Sequence, residues 1–397
     1  MKKLLLFILI LGGTLNAFSK DSIKRDHYKF LSVKTSHGTV LPTNDFVSGN
    51  NKIPYYTSYA LKFGFASNGS EWQSHAFGMP YMGIGIYGVD FYGRSNLGAP
   101  FSIFFFQGGH LTNYLRPVSL NYEWDVGASF RWKHYDPFEN PDNIAIGSTV
   151  NIHFGANLYM KWKMAKRWDL DVGVEFNHFS NGASLFPNYG MNMVSGFVQL
   201  SYYFNRDNKI SGLDGCPLPP VFEKKRDHDF MILITSRNAE LDTVGTYLPS
   251  KYTEQTFKVL GLSYAYMFNN HYRYKWGPSI EVSYDESSGV KAWRELNPLD
   301  GKVYDRVKLG NFWDRFSVGL SIKGEIKMPL YSAFLNLGYD LIHAKKSDGR
   351  FYQIFGIKVY LKENFFGTFG IRATDFGKSQ YIFLNFGYTI SQKQKMK

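Results

Sequence analysis

The stretch from Trp168 to Phe204 decides the fold. It opens Trp168-Asp169-Leu170-Asp171-Val172-Gly173-Val174-Glu175-Phe176-Asn177-His178-Phe179-Ser180. Even positions supply Trp, Leu, Val, Val, Phe, His and Ser, and odd positions carry Asp, Asp, Gly, Glu and Asn before Phe179. A period of two with one apolar and one charged face marks a β-strand lying between unlike environments. The chain then turns through Asn181-Gly182-Ala183-Ser184-Leu185-Phe186-Pro187-Asn188-Tyr189-Gly190 and returns with Asn192, Val194, Gly196, Val198, Leu200, Tyr202 and Phe204 on one face. A symmetric hairpin sets Asn192 beside His178. Three polar groups able to form a relay, Ser180, His178 and Asn192, are therefore expected together on an otherwise apolar surface.

The same alternation recurs outward from this hairpin. Leu120 to Lys133 puts Leu, Tyr, Trp, Val, Ala, Phe and Trp on one side and Asn, Glu, Asp, Gly, Ser, Arg and Lys on the other. Val150 to Met164 repeats the pattern. Strands of soluble sandwiches are usually about 5–6 residues long, and these run much further. Length, aromatic ends and one charged face favour an all-β, outer-membrane antiparallel barrel whose outside meets lipid and whose lumen holds the charges. On that reading Glu123, Asp125, Arg131, Lys133, Lys161 and Lys163 plug the lumen.

Eight candidate strands precede a change of composition, near 28–41, 54–66, 79–93, 99–112, 118–135, 146–165, 168–180 and 191–204. An even number of antiparallel strands closes a barrel without an edge. Residues 205–228 turn to Gly, Pro and charge around Cys216-Pro217-Leu218-Pro219-Pro220 and are expected to form a linker. Eight more candidates follow, near 229–241, 254–268, 272–285, 312–326, 329–343, 351–361, 364–375 and 378–390. The expected organisation is a leader over 1–19, a first eight-stranded barrel over 20–204, the linker over 205–228 and a second barrel over 229–392. A single barrel of sixteen strands is the alternative.

The second half reads as a diverged copy of the first. Gly338-Tyr339-Asp340-Leu341-Ile342-His343 parallels Gly173 to His178, but Lys345 stands where Ser180 would be. By strand order, Asp375 and Gly377 fall at the two places instead. The nucleophile is lost on either alignment, so this half is expected not to catalyse.

Composition bounds the rest. Lys2 and Lys3, the apolar run Leu4 to Leu11 and Ala17-Phe18-Ser19 make a secretory leader. No later segment approaches the ~20 apolar residues of a membrane helix. Yet aromatic residues are 18% of the chain, the content of a barrel with aromatic girdles. A single cysteine, Cys216, excludes an internal disulfide, and no spacing of Cys and His marks a metal site. The net charge of +12 suits anionic lipid head groups or lipid A phosphates, while the leader disfavours nucleic acid. The sequence leaves the oligomeric state open.

A mature N-terminus on the periplasmic side sends the seventh strand outward, so Ser180 and His178 face the outer leaflet. Serine is a weak nucleophile until a neighbouring imidazole takes its proton, and side chains two apart on a strand share a face. Asn192 can hold the ring N–H of His178 as Asn does in Cys-His-Asn enzymes, but without charge. Glu175 lies on the opposite face. Backbone N–H groups at Gly182 and Ala183, with the side chain of Asn181 or Asn188, are the candidate donors to an oxyanion. The competing reading is a non-enzymatic pore or structural barrel, in which these residues only decorate the polar interface.

The string Asn177-His178-Phe179-Ser180-Asn181-Gly182-Ala183, followed by Pro187-Asn188-Tyr189-Gly190, resembles the active-site hairpin of the lipid A 3-O-deacylase (PagL-like) family over about 175–192. The resemblance implies an eight-stranded outer-membrane barrel, with Ser180 as nucleophile, His178 as general base and lipid A or lipopolysaccharide as substrate. It implies no cofactor. Asn192 departs from that family's pattern, standing where its glutamate is. The same residues also resemble the outer-membrane phospholipase A family, which uses a Ser-His-Asn triad and calcium but builds a twelve-stranded barrel. The deacylase resemblance is the stronger, because the strand ladder here reaches Phe204 after eight strands.

Overall fold

A computed structural model describes residues 27–48, 53–93, 96–206, 219–241, 252–328, 331–344, 348–362, 364–375 and 378–394. The expected leader, Cys216, Lys345 and Gly377 lie outside the described residues.

The first unit is a closed barrel of eight antiparallel strands. They are β1 (Tyr28–Val40), β2 (Tyr56–Ala66), β3 (Tyr81–Asp90), β4 (Gly98–His110), β5 (Val118–Trp132), β6 (Asn151–Lys163), β7 (Trp168–Ser180) and β8 (Met191–Tyr203). Each pairs with the next, and β1 closes the ring on β8 through a register that runs from Phe30 opposite Tyr203 to Val40 opposite Met193. The alternation seen in the sequence sorts the side chains as expected. On β7, Val172 and Val174 are about half exposed on the outer wall, whereas Asp171 and Glu175 are buried inside. Outward Val33, Leu61, Ile84, Ile86, Leu158, Val198 and Leu200 continue the apolar belt around the ring.

The lumen is filled by paired charges. Lys34 donates to Glu175 at 2.5 Å, Lys62 to Glu123 at 2.7 Å and Arg206 to Asp169 at 2.6 Å, while Lys161 lies 3.0 Å from Asp171. Burial of these ions is tolerable because each meets an opposite charge and further hydrogen bonds. Where β7 ends, the interior turns apolar: Phe46, Tyr56, Phe91, Trp132, Phe179 and Met191 form a buried cluster.

Three expectations need correction here. Arg131 and Lys133 do not plug the lumen but are exposed. Arg131 adopts a left-handed backbone with φ of 63°, which shifts the phase of β5 and turns Trp132 inward. Strand β6 starts at Asn151 and not near 146, because Ile146 is taken by the preceding loop. Its N–H donates to Asn143 Oδ1 at 3.2 Å and its carbonyl accepts from Tyr135 at 2.7 Å. Lys163, expected inside, is only partly buried and donates to the carbonyl of Tyr114.

Chain order fixes which end of this barrel is which. The chain enters β1 and leaves β8 at one rim, which also bears connections 67–80, 111–117 and 164–167. Connections 41–55, 91–97, 133–150 and 181–190 leave from the other, which is where β7 ends. Outer-membrane barrels keep short turns and their termini on the periplasmic side.

The second unit is also a closed barrel of eight, which removes the sixteen-stranded alternative. Its strands are β9 (Lys225–Glu240), β10 (Tyr252–Asn269), β11 (Tyr274–Asp285), β14 (Phe316–Lys327), β15 (Tyr331–Ile342), β16 (Phe351–Lys362), β17 (Phe365–Thr374) and β18 (Lys378–Lys393). Strand β9 begins inside the stretch expected as linker. Between β11 and β14 lies a separate hairpin, β12 (Lys291–Leu296) with β13 (Val303–Lys308), which carries charge on both faces and so shows no amphipathic period. Buried Lys275, Lys323 and Lys358 gather around Asp229 and Glu325 inside this barrel.

Candidate active site

The site is built on the outer wall of the first barrel, where β7 ends. In the ladder His178 stands directly opposite Asn192 of β8 and opposite Phe154 of β6, and Ser180 stands opposite Ile152. His178 and Ser180 belong to the even, outward row of β7, as period two requires. The imidazole joins both neighbours. Its Nε2 lies 2.9 Å from Ser180 Oγ, and its Nδ1 lies 2.7 Å from Asn192 Oδ1. With a carboxamide oxygen as partner, Nδ1 carries the ring proton, and Nε2 keeps a lone pair for the serine hydroxyl.

Burial sharpens the arrangement. Ser180 is 1% exposed and Asn192 5%, while the ring between them is partly open. Water therefore competes little for these hydrogen bonds, which are stronger in a medium of low dielectric. Glu175 is excluded as an alternative acid, because it faces the lumen and is committed to Lys34 and Ser195.

Glycine is required at position 190. Its φ is +76°, and a Cβ built there would come within 2.8 Å of His178 Cε1, so only hydrogen leaves the ring its place. Beyond Ser180 the turn continues in the left-handed region at Gly182 and Ala183, both with φ of 61°. For Ala183 this is a strained backbone, of the kind that collects at functional turns. Asn181 and Asn188 are both buried.

Sequence reasoning missed Thr43, whose Oγ1 accepts a 3.0 Å hydrogen bond from Asn192 Nδ2. It also missed Asn44, which donates to the carbonyl of Gly190 at 2.9 Å. Neither carries a local signal, since both sit in an irregular segment far from the hairpin in sequence. In the second barrel, His343 has its Nδ1 3.2 Å from Asp340 Oδ2 and its Nε2 3.0 Å from the carbonyl of Asp348. Both nitrogens are engaged, so this imidazole offers none to a hydroxyl. Among the described residues no group of three or more His, Cys, Asp and Glu side chains is placed to hold a metal ion.

Closed barrels with an apolar outer wall and a charged, filled interior define an outer-membrane β-barrel protein. Residues 49–201 match the family model described as lipid A 3-O-deacylase (PagL), and residues 229–393 match the acyloxyacyl hydrolase C-terminal domain. The chain thus belongs to the PagL-like family of lipid A deacylases, hydrolases of the outer membrane.

Among solved structures it is similar to the outer membrane enzyme PagL, at 18% identity over 42% of this chain and 97% of that one, with a TM-score of 0.30. It is also similar to the siderophore receptor PirA from Acinetobacter baumannii, at 10% identity over 93% of this chain and 62% of that one, with a TM-score of 0.25. No match is found among curated proteins.

Proposed function

We propose that Ser180, His178 and Asn192 are the relay by which this lipid A deacylase cleaves an ester-linked acyl chain, working from the outer leaflet. The observation that carries the reading is the unbroken hydrogen-bonded line from Asn192 Oδ1 through both nitrogens of His178 to Ser180 Oγ. The rim from which this line projects bears three of the four longest connections (41–55, 133–150 and 181–190) and is opposite the barrel's termini, which supports an outer-leaflet position.

In this mechanism Ser180 Oγ attacks the ester carbonyl while His178 Nε2 takes the hydroxyl proton. The carbonyl π electrons move to oxygen, and backbone N–H groups of the turn after Ser180, with Asn181 or Asn188, are the proposed donors to that oxyanion. Collapse expels the sugar or hydroxyacyl oxygen, which receives the proton from His178. Water, deprotonated by the same imidazole, then releases the fatty acid from Ser180. Asn192 holds the Nδ1–H tautomer throughout, and no metal takes part in any step.

The test is release of fatty acid from purified lipid A by protein refolded in detergent. Ser180→Ala is expected to leave a folded barrel and to lower the rate at least about a thousandfold, the scale seen when a catalytic nucleophile is removed. Release by the parent is expected to persist in EDTA. Parental activity in Ser180→Ala would remove Ser180 from its role, and loss of activity with chelator would favour calcium chemistry of the phospholipase kind.

A further inference from the structure

The relay as proposed ends on a neutral carboxamide, and a carboxamide has two unlike ends. Only the orientation that turns Oδ1 toward His178 Nδ1 leaves a base facing Ser180. In the opposite orientation Nδ2 would donate to Nδ1, the ring proton would move to Nε2, and the imidazole could no longer accept from the hydroxyl. Something must therefore hold Asn192 in plane and in position.

The segment that leaves β1 does this. The N–H of Leu41 donates to the Asn192 carbonyl at 2.8 Å, and the N–H of Thr43 donates to the Leu41 carbonyl at 2.8 Å. Asn44 fastens the same segment to the Gly190 carbonyl at 2.9 Å, and its Oδ1 accepts from the N–H of Val47 at 3.3 Å. Thus the chain on either side of Thr43 is tied to residues on either side of Met191. Between these ties Thr43 Oγ1 takes the Nδ2 hydrogen of Asn192 at 3.0 Å.

We infer that Thr43 is a positioning residue of the relay, acting through Asn192 to present Oδ1 to His178. The inference rests on the proposed roles of Ser180, His178 and Asn192. Thr43 touches neither reacting atom. Its hydroxyl anchors the amide end of Asn192, and its backbone is anchored in turn by the hydrogen bonds of residues 41 and 44. The functional line accordingly has four members and crosses from β7 through β8 to the segment after β1. Closure of β1 on β8 thereby becomes a condition of catalysis as well as of folding.

A double-mutant cycle tests this. Thr43→Val keeps the side chain's shape and deletes the acceptor, so the carboxamide loses its anchor and can turn. The expected result is a fall in kcat of about tenfold, the factor that one lost hydrogen bond supplies, with KM for lipid A little changed. Thr43→Ser, which keeps a hydroxyl, is expected to restore most of the rate. In an Asn192→Ala background Thr43→Val is expected to change nothing further, because its target is gone. Additive losses in the double variant, or an unchanged kcat in Thr43→Val, would overturn the role. A rise in KM alone would instead make Thr43 a substrate contact and overturn it too. Ser180→Ala measured alongside separates the two levels: if it stays active the relay itself fails, whereas if it is dead and the cycle is additive only the inference about Thr43 fails. Heat-modifiable migration of each variant on a gel reports that the barrel has formed.

Discussion

Asn192 can accept the Nδ1 proton of His178 but brings no charge to the imidazolium that forms when Ser180 gives up its proton. A carboxylate in that place would do both, since charge-assisted hydrogen bonds are roughly twice as strong as neutral ones. Asp is nearly isosteric with Asn, and at 192 it would find two donors, the ring N–H of His178 and the hydroxyl of Thr43. Asn192→Asp is therefore expected to raise kcat about tenfold, equivalent to about 1.4 kcal/mol of added transition-state stabilisation. Initial rates of fatty acid release from lipid A at neutral pH check this, and a fall in kcat would mean that the third member contributes geometry alone. A side chain at 190 would crowd the imidazole, since a Cβ built on Gly190 would fall 2.8 Å from Cε1.

A strand's phase can change where one residue leaves the extended region, and β5 does so. Arg131 in the left-handed region brings Trp132 into the interior, where its indole donates to Ser129 Oγ at 2.7 Å and packs 5.1 Å, centroid to centroid, from Phe179. Phe179 also stacks on His153 at 4.5 Å. Since Phe179 lies between His178 and Ser180 in sequence but on the opposite face, this packing inside the barrel steadies the strand end that carries the site outside. The left-handed backbone at Arg131 costs roughly 1–2 kcal/mol for an L side chain. Arg131→Gly is expected to recover about 1 kcal/mol of it, read as a higher urea midpoint for the barrel in lipid vesicles, with activity unchanged. A lower midpoint would show that the exposed Arg131 side chain contributes more than its backbone costs.

The first barrel as a whole is closed and filled, and its charges are partners to one another. Lys34 on β1 and Glu175 on β7 meet across the interior, both almost fully buried, with Ser195 as a further donor to Glu175. Breaking such a pair from one side leaves an uncompensated ion. Lys34→Met is expected to destabilise the barrel by about 3–5 kcal/mol, whereas Lys34→Met combined with Glu175→Leu is expected to lose much less. Equilibrium unfolding in urea with vesicles distinguishes these, and equal losses in both variants would mean the ion pair is not what stabilises the lumen. The buried lysines of both barrels are matched by carboxylates of the interior, so these pairs cancel within the net charge of +12, whose excess is carried outside them.

What the sequence by itself determined is whatever depends on neighbours along the chain. Alternation over Trp168 to Ser180 and over Asn192 to Phe204 specified two strands, their lipid face and their lumen face, because a strand's side-chain period is set by local stereochemistry. One hairpin then sufficed to set Asn192 opposite His178, and spacing alone placed Ser180 on the same face. Only the tertiary structure decided the rest. Closing eight strands into a ring chose β1 as neighbour of β8, and so brought Thr43 to Asn192 and Lys34 to Glu175, pairs separated by 149 and 141 residues. It also decided that Arg131 turns out, that the β12–β13 hairpin forms without an amphipathic period, and that the chain makes two barrels in place of one. Ring closure and phase shifts depend on contacts between distant residues, and a period read along one strand carries no record of them.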